Sequence, residues 1–249
     1  MFRITIARFV KRALALFVAS VLYSSAAQAV TVDLITNGDF ETGNLSGWST
    51  SSTAFADDFQ INNGRFNPRG PTRRVDPISG NYDVMNEQTG YGVSTLTQFF
   101  AVPDQVISAS FNFTYQIVNH YLLGYDDPNQ QFRVSLIDNA GAVISQIFAT
   151  QPGDATTQGA TALSYDLTSY LQAGVGSTLG IQFDVETNYY YMNASLDEIA
   201  MMVETPATVP LPASVWMMLA GLGLFVGLGW LGRRRARDPV ANCDSFAAA

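Results

Sequence analysis

The side chains able to do chemistry in this chain are mostly carboxylates and aromatic rings. There is one histidine, His120, and one cysteine, Cys243. A lone histidine excludes a multi-histidine zinc site within the chain, and a lone cysteine in the terminal tail excludes an intrachain disulfide. Asp and Glu number 21 against 13 Lys and Arg, for a formal net charge of −8. Such hard oxygen donors suit calcium far better than zinc or copper, and Asp39 and Glu41, beside the turn Asn37-Gly38-Asp39, are the first candidates. The alternative is that Asp39 only closes that turn and Glu41 is solvated. Flat faces for stacking on sugar rings are offered by Tyr121 and Tyr125, in segment 120–129, and by Tyr189 and Tyr191, with Asn188 and Asn193 as partners for hydroxyls. If Tyr189-Tyr190-Tyr191 is a strand, its rings alternate faces and at least one is core; Leu122 and Leu123 are able to tuck the 120–129 loop down.

Catalysis has little to work with. His120 is accompanied by no Gly-x-Ser-x-Gly elbow. Asp184 and Glu186 share a strand face about 7 Å apart, a spacing at which two carboxylates hydrolyse glycosides, but in so acidic a chain some pair always falls at that spacing. The expectation is a non-enzymatic protein, with a secreted glycan-cleaving enzyme as the alternative.

The charges are unevenly placed. Arg3, Arg8, Lys11 and Arg12 lie near the start and Arg233, Arg234, Arg235 and Arg237 near the end, leaving five arginines against 19 acids between Val30 and Thr208. A domain of about −14 does not bind nucleic acid. The first segment runs from its bases through an apolar stretch, Ala13 to Leu22, to Ala27-Gln28-Ala29, the small-residue pattern of a signal-peptide cleavage site, so residues 1–29 are expected to be removed after Ala29. Near the other end, Val215 to Leu231 is an uncharged run of 17 residues that as a helix rises about 26 Å, so 215–232 is expected to be a single transmembrane helix. The arginines after it keep 233–249 cytoplasmic and place the preceding domain on the outer side of the inner membrane. Pro206, Pro210 and Pro212 make 204–214 an extended stalk.

What remains, 30–203, is the size of one domain and shows no internal repeat. From Ile107 to Ile117 the odd positions are Ile, Ala, Phe, Phe, Tyr, Ile and the even ones are polar, a strict period of two. The pattern recurs at Phe132 to Leu136, Leu163 to Leu167 and Leu179 to Val185. Further strands are expected near Val32 to Ile35, Phe59 to Ile61, Tyr82 to Met85, Ser94 to Ala101, Val143 to Phe148 and Leu196 to Val203. Strands of this kind between Gly, Asn, Asp and Pro turns predict an all-β fold, an antiparallel β-sandwich of the jelly-roll kind. Phe40 and Trp48 are expected in its core.

Two resemblances add to this reading. Val209-Pro210-Leu211-Pro212-Ala213-Ser214, followed by the apolar span and Arg233-Arg234-Arg235, resembles the PEP-CTERM sorting signal of Gram-negative bacteria, with Leu211 in place of the central Glu and with Asp238 to Ala249 extending past the usual stop. The resemblance implies Pro210 and Pro212 as the sorting motif and handling by an exosortase-type processing enzyme; the alternative is a plain uncut anchor. Export to the cell envelope or extracellular matrix follows. The opening Asn37-Gly38-Asp39-Phe40-Glu41-Thr42-Gly43, with Ser46-Gly47-Trp48, and the closing Leu196-Asp197-Glu198-Ile199 are similar to carbohydrate-binding modules with a galactose-binding-like jelly roll. That resemblance implies that the two ends of the domain meet, which would bring Asp197 near Glu41 as a further calcium ligand, and it implies extracellular polysaccharide as a partner.

Overall fold

The computed structural model describes residues 29–65, 74–86 and 90–207. The expected leader up to Gln28, the sorting motif with Pro210 and Pro212, the span 215–232 and the basic tail lie outside the described residues; among those described, no helix is long and apolar enough to cross a membrane.

Gln28–Pro206 forms one compact unit. Its strands are β1 (Ala29–Asp33), β2 (Ser49–Ser52), β3 (Phe59–Asn62), β4 (Asp83–Asn86), β5 (Gly92–Ala101), β6 (Ser108–Asn119), β7 (Gln130–Asp138), β8 (Val143–Ala149), β9 (Thr157–Asp166), β10 (Thr178–Thr187) and β11 (Met192–Pro206), with a short helix α1 (Thr168–Ala173) before β10. All pairings are antiparallel: β3-β4-β11-β6-β9 with β1 alongside β11 in one sheet, and β2-β5-β10-β7-β8 in the other. The two sheets bury their apolar faces on each other as a β-sandwich.

The alternation read in the sequence selects the inner faces. Phe111, Phe113, Tyr115 and Ile117 of β6 point inward, as do Leu179, Ile181, Phe183 and Val185 of β10 and Phe132, Val134 and Leu136 of β7. The Phe183 ring lies near the middle of an aromatic cluster, 5.6 Å from Phe113, 6.2 Å from Trp48, 6.3 Å from Phe111 and 6.4 Å from Phe132. Phe40 and Trp48 are both buried, and the Trp48 indole N–H donates to the Asn37 carbonyl at 3.0 Å, which satisfies its one polar atom.

β11 changes its inward parity part-way along. Met192, Ala194 and Leu196 are buried, and then Ile199, Met201 and Val203. The register against β6 shifts between Asp197 and Ala200, and Glu198 takes a left-handed φ of 52°. This bulge carries one extra residue, so the strand can present even positions before it and odd positions after it. The first turn docks here: the Ile199 N–H donates to the Gly38 carbonyl at 2.9 Å, and a Cβ on Gly38 would overlap the Ile199 carbonyl. Only glycine allows that approach.

Candidate functional site

At one end of the sandwich four connections converge: residues 53–58 between β2 and β3, residues 90–91 leading into β5, residues 120–129 between β6 and β7, and residues 188–191 between β10 and β11. The strand ends that carry them are neighbours, since Thr187 pairs with both Gly92 and Gln130, and Met192 pairs with Asn119.

Buried amides hold these loops. Gln130 Nε2 donates to the Asn119 Oδ1 and to the Tyr190 carbonyl, each at 2.9 Å, and its Oε1 accepts from the Tyr189 and Tyr190 N–H groups at 3.4 and 3.3 Å. Asn119 Nδ2 donates to the Gly124 carbonyl at 2.9 Å, while its Oδ1 accepts the Tyr121 N–H at 3.0 Å. Asn86 accepts the Ala194 N–H at 2.6 Å and donates to the Met192 carbonyl at 3.1 Å. The Tyr191 carbonyl receives the His120 N–H at 2.9 Å. With these groups satisfied inside, the backbone can bend at 188–190 and turn side chains outward.

Tyr189, Tyr190 and Tyr191 are all about half exposed, at 48, 53 and 44%. The expectation that at least one of them is core is therefore corrected: the segment bends, and strand alternation does not apply to it. Tyr121 stacks on Tyr189 at 5.0 Å with 30° between planes, Tyr190 sits 4.9 Å from Tyr191, and Phe55 meets Tyr91 edge to face at 5.0 Å. A groove of about 490 Å³ is lined by Phe55, Gly90, Tyr91, Asn188 and the three tyrosines, with Thr187. The Asp126 carboxylate near the Tyr189 hydroxyl raises the phenol's pKa.

Tyr125 does not belong to the platform. It is 4% exposed, its hydroxyl faces the Ala155 carbonyl at 3.4 Å, and burial pushes its pKa well up. Leu122 and Leu123 do not tuck down either, at 98 and 81% exposure. Phe55 and Tyr91 are the aromatic residues that sequence reasoning missed, and Tyr190, expected on the opposite face from Tyr189 and Tyr191, lines the groove with them. Phe55 and Tyr91 stand alone in unpatterned segments, and the bond from the Phe55 N–H to the Tyr91 carbonyl, 3.0 Å, is what joins them.

The carboxylates considered for other chemistry are engaged elsewhere. Glu186 is 2.6 Å from the Arg133 guanidinium. Asp184 accepts from the Thr95 hydroxyl at 2.8 Å and from Gln182 Nε2 at 2.9 Å. At the opposite part of β11 the two ends of the domain do meet, through residues 78–82. Glu41 accepts the Asn81 and Tyr82 N–H groups at 2.7 and 3.0 Å and the Asn81 side-chain amide at 2.9 Å, and these bonds, led by the side-chain one, lower its pKa. Asp197 accepts the Ser79 N–H at 3.0 Å and the Glu198 N–H at 2.8 Å, while burial lifts its pKa to about 6. Asp83, fully buried next in line, accepts the Ile78 N–H at 3.1 Å through one oxygen; its other oxygen has no hydrogen-bond partner, and burial lifts its pKa to about 7. Asp39 turns back on its own loop, accepting the Glu41 N–H at 3.3 Å. Among the described residues no three of His, Cys, Asp and Glu stand close enough together to hold a metal ion as placed.

Comparison with known proteins adds the tail. Residues 208–235 match the PEP-CTERM protein-sorting motif. No curated protein matches the chain in sequence. Among solved structures, the enzymatically active domain of the bacteriophage CBA120 tailspike protein 4 is 14% identical with a TM-score of 0.42, over 69% of this chain and 21% of that one. The Caldicellulosiruptor saccharolyticus module CBM27-1, in complex with mannohexaose, is 12% identical with a TM-score of 0.42, over 70% and 97%. A cyclase from Fischerella sp. TAU is 18% identical with a TM-score of 0.44, over 72% and 100%. All three TM-scores are low, and the sandwich and its groove rest on the pairing and side-chain geometry above.

Proposed function

We propose that this chain, which carries a PEP-CTERM protein-sorting motif at residues 208–235, is an exported, non-enzymatic glycan-binding protein of the cell envelope or extracellular matrix. In this reading a signal peptide with Ala27 and Ala29 at its cleavage site directs export, and the helix 215–232 holds the chain in the inner membrane. An exosortase-type enzyme then acts on the tail marked by Pro210, Pro212 and Arg233-Arg234-Arg235. The exported domain is read as a jelly roll.

One observation carries the binding reading: Tyr189, Tyr190 and Tyr191 with Phe55 and Tyr91 present exposed rings around an open groove, Tyr121 stacks behind Tyr189, and the tyrosine turn is fixed by buried amides. Rings fixed in this way lose little freedom when a pyranose stacks on them, and Asn188 and the Tyr hydroxyls meet its polar edge. The rival reading, a glycan-cleaving enzyme, would draw on Asp184 and Glu186, which are tied to Thr95, Gln182 and Arg133. Incubation with the host's exopolysaccharide tests both: retention without new reducing ends is the expected result, and their appearance would overturn the non-enzymatic reading.

One structural calcium at Asp39, Glu41 and Asp197 is part of the proposal. Its support is the all-oxygen donor set, with Asp83 buried near Asp197. As placed, the Glu41 and Asp197 oxygens face backbone N–H groups, so a bound ion would have to replace some of those bonds.

A further inference from the structure

The aromatic groove has a charge character that narrows its ligand. The segments bordering it, 53–58, 90–93, 120–130 and 186–193, contain no Lys or Arg and five acids: Asp57, Asp58, Asp126, Asp127 and Glu186. Two of these carboxylates lie against groove-lining residues: Glu186 accepts from the Asn188 side-chain amide at 3.1 Å, and Asp126 is near the Tyr189 hydroxyl. The nearest arginine on the flanking strands, Arg133, is spent: it donates to Glu186 at 2.6 Å and to Gln131 at 3.2 Å. Polyanionic ligands need the reverse, free guanidinium or ammonium groups aimed at each carboxylate or sulfate. Here such a ligand would meet acids at the groove and, beyond them, the field of the whole acidic domain.

We infer that the groove binds uncharged polysaccharide and discriminates against uronate and sulfated chains. This rests on the glycan-binding reading of the same groove and adds the chemical class of the sugar. For a neutral chain the carboxylates act only as hydroxyl acceptors, and stacking on the rings supplies the attraction. For a polyuronate each added carboxylate is repelled, over about 30 Å at 0.01 M salt and about 3 Å at 1 M.

The test uses the full chain, purified in a detergent without a sugar headgroup so that the groove is not occupied. Its binding to immobilised polygalacturonate and alginate is compared with binding to the same polymers after carboxyl reduction, which keeps backbone and linkage but removes the charge, and to galactan and mannan. We expect Tyr190→Ala to weaken binding to uncharged chains tenfold or more. The reduced polymers should bind at least about tenfold tighter than their parents in low salt, with the ratio shrinking as salt rises. Asp126→Asn, which removes the charge and keeps the size of the side chain, should narrow the low-salt gap. Polyuronate binding that depends on Tyr190 and equals binding to the reduced polymer would overturn this inference and leave the glycan-binding reading standing. No Tyr190-dependent binding to any of the polymers would overturn both.

Discussion

Gln130 is the residue through which the fold and the groove are joined, and replacing it with methionine separates their contributions. Methionine has nearly the same length and volume but neither donates nor accepts well. The substitution removes two bonds of 2.9 Å, to Asn119 and Tyr190, and two longer ones from the Tyr189 and Tyr190 N–H groups. Asn119 Oδ1 keeps the Tyr121 N–H, and the Tyr190 backbone can turn to water, so the loss is set by the two short bonds at ~1 kcal/mol each. About 2 kcal/mol in a domain of this size lowers Tm by about 4–8 °C, measured by thermal unfolding of residues 30–206. The same change frees the 188–191 turn, so glycan affinity should fall about tenfold, equivalent to ~1.4 kcal/mol of ordering added to binding. Tyr190→Ala, at a half-exposed ring, should show the reverse balance: binding lost with Tm nearly unchanged. A methionine variant with wild-type Tm and wild-type affinity would refute the claim that Gln130 fixes the platform.

Further outcomes are expected from the middle of β11 and the segments packed on it. Gly38→Ala drives a Cβ into the Ile199 carbonyl and should cost about 3 kcal/mol by denaturant titration; an unchanged midpoint would mean that the turn and bulge can part freely. In chelator-treated buffer, Asp83 has a folded pKa of about 7 against an ordinary 3.8, so the folded form holds the proton more tightly and stability falls as pH rises through that window. Asp83→Asn should flatten this limb by up to ~4 kcal/mol, and a pH profile parallel to wild type would refute the buried charge. Calcium should raise Tm more than magnesium, with Glu41→Gln or Asp197→Asn removing the difference; equal responses to the two ions would withdraw the site. Replacing Pro212 or the Arg233-Arg234-Arg235 cluster should trap the full-length form, and an intact C-terminus on exported wild type, read by mass, would favour an uncut anchor.

How much of this was legible in the sequence varied with the kind of interaction. β6, β7 and β10 were readable because each sends its large apolar side chains into the core at every second position with mostly polar or small residues between them, and that period of two leaves its mark in the sequence. β2 was not, because Ser49–Ser52 has no large apolar residue and exists as a strand through its pairing with β5. β11 was seen only in its middle, Leu196 to Val203, since the bulge at Asp197 to Ala200 moves the apolar positions from even to odd and leaves no single period over its fifteen residues. The groove failed for a related reason. Tyrosines at 189 and 191 could be seen as candidates, but whether they face in or out depends on Asn86, Asn119 and Gln130, amides that in a sequence look like ordinary turn residues and become determinants only when buried.

The same topology sets the groove at the opposite end of β11 from Pro206, the last residue of that strand. Ala29 of β1 pairs with Pro206, so the first and last described strands leave the sandwich together, whereas Met192, where β11 begins, lies beside the tyrosine turn. Fifteen residues of strand at ~3.3 Å each put those two ends about 45 Å apart. A rigid, paired strand of that length shares no side-chain contact between its ends. Every residue that lines the groove, from Phe55 to Tyr191, precedes Pro206 in the chain. Under the proposed reading, then, removal of the sorting motif takes away no residue that lines the groove, and glycan affinity is expected to be the same before and after processing.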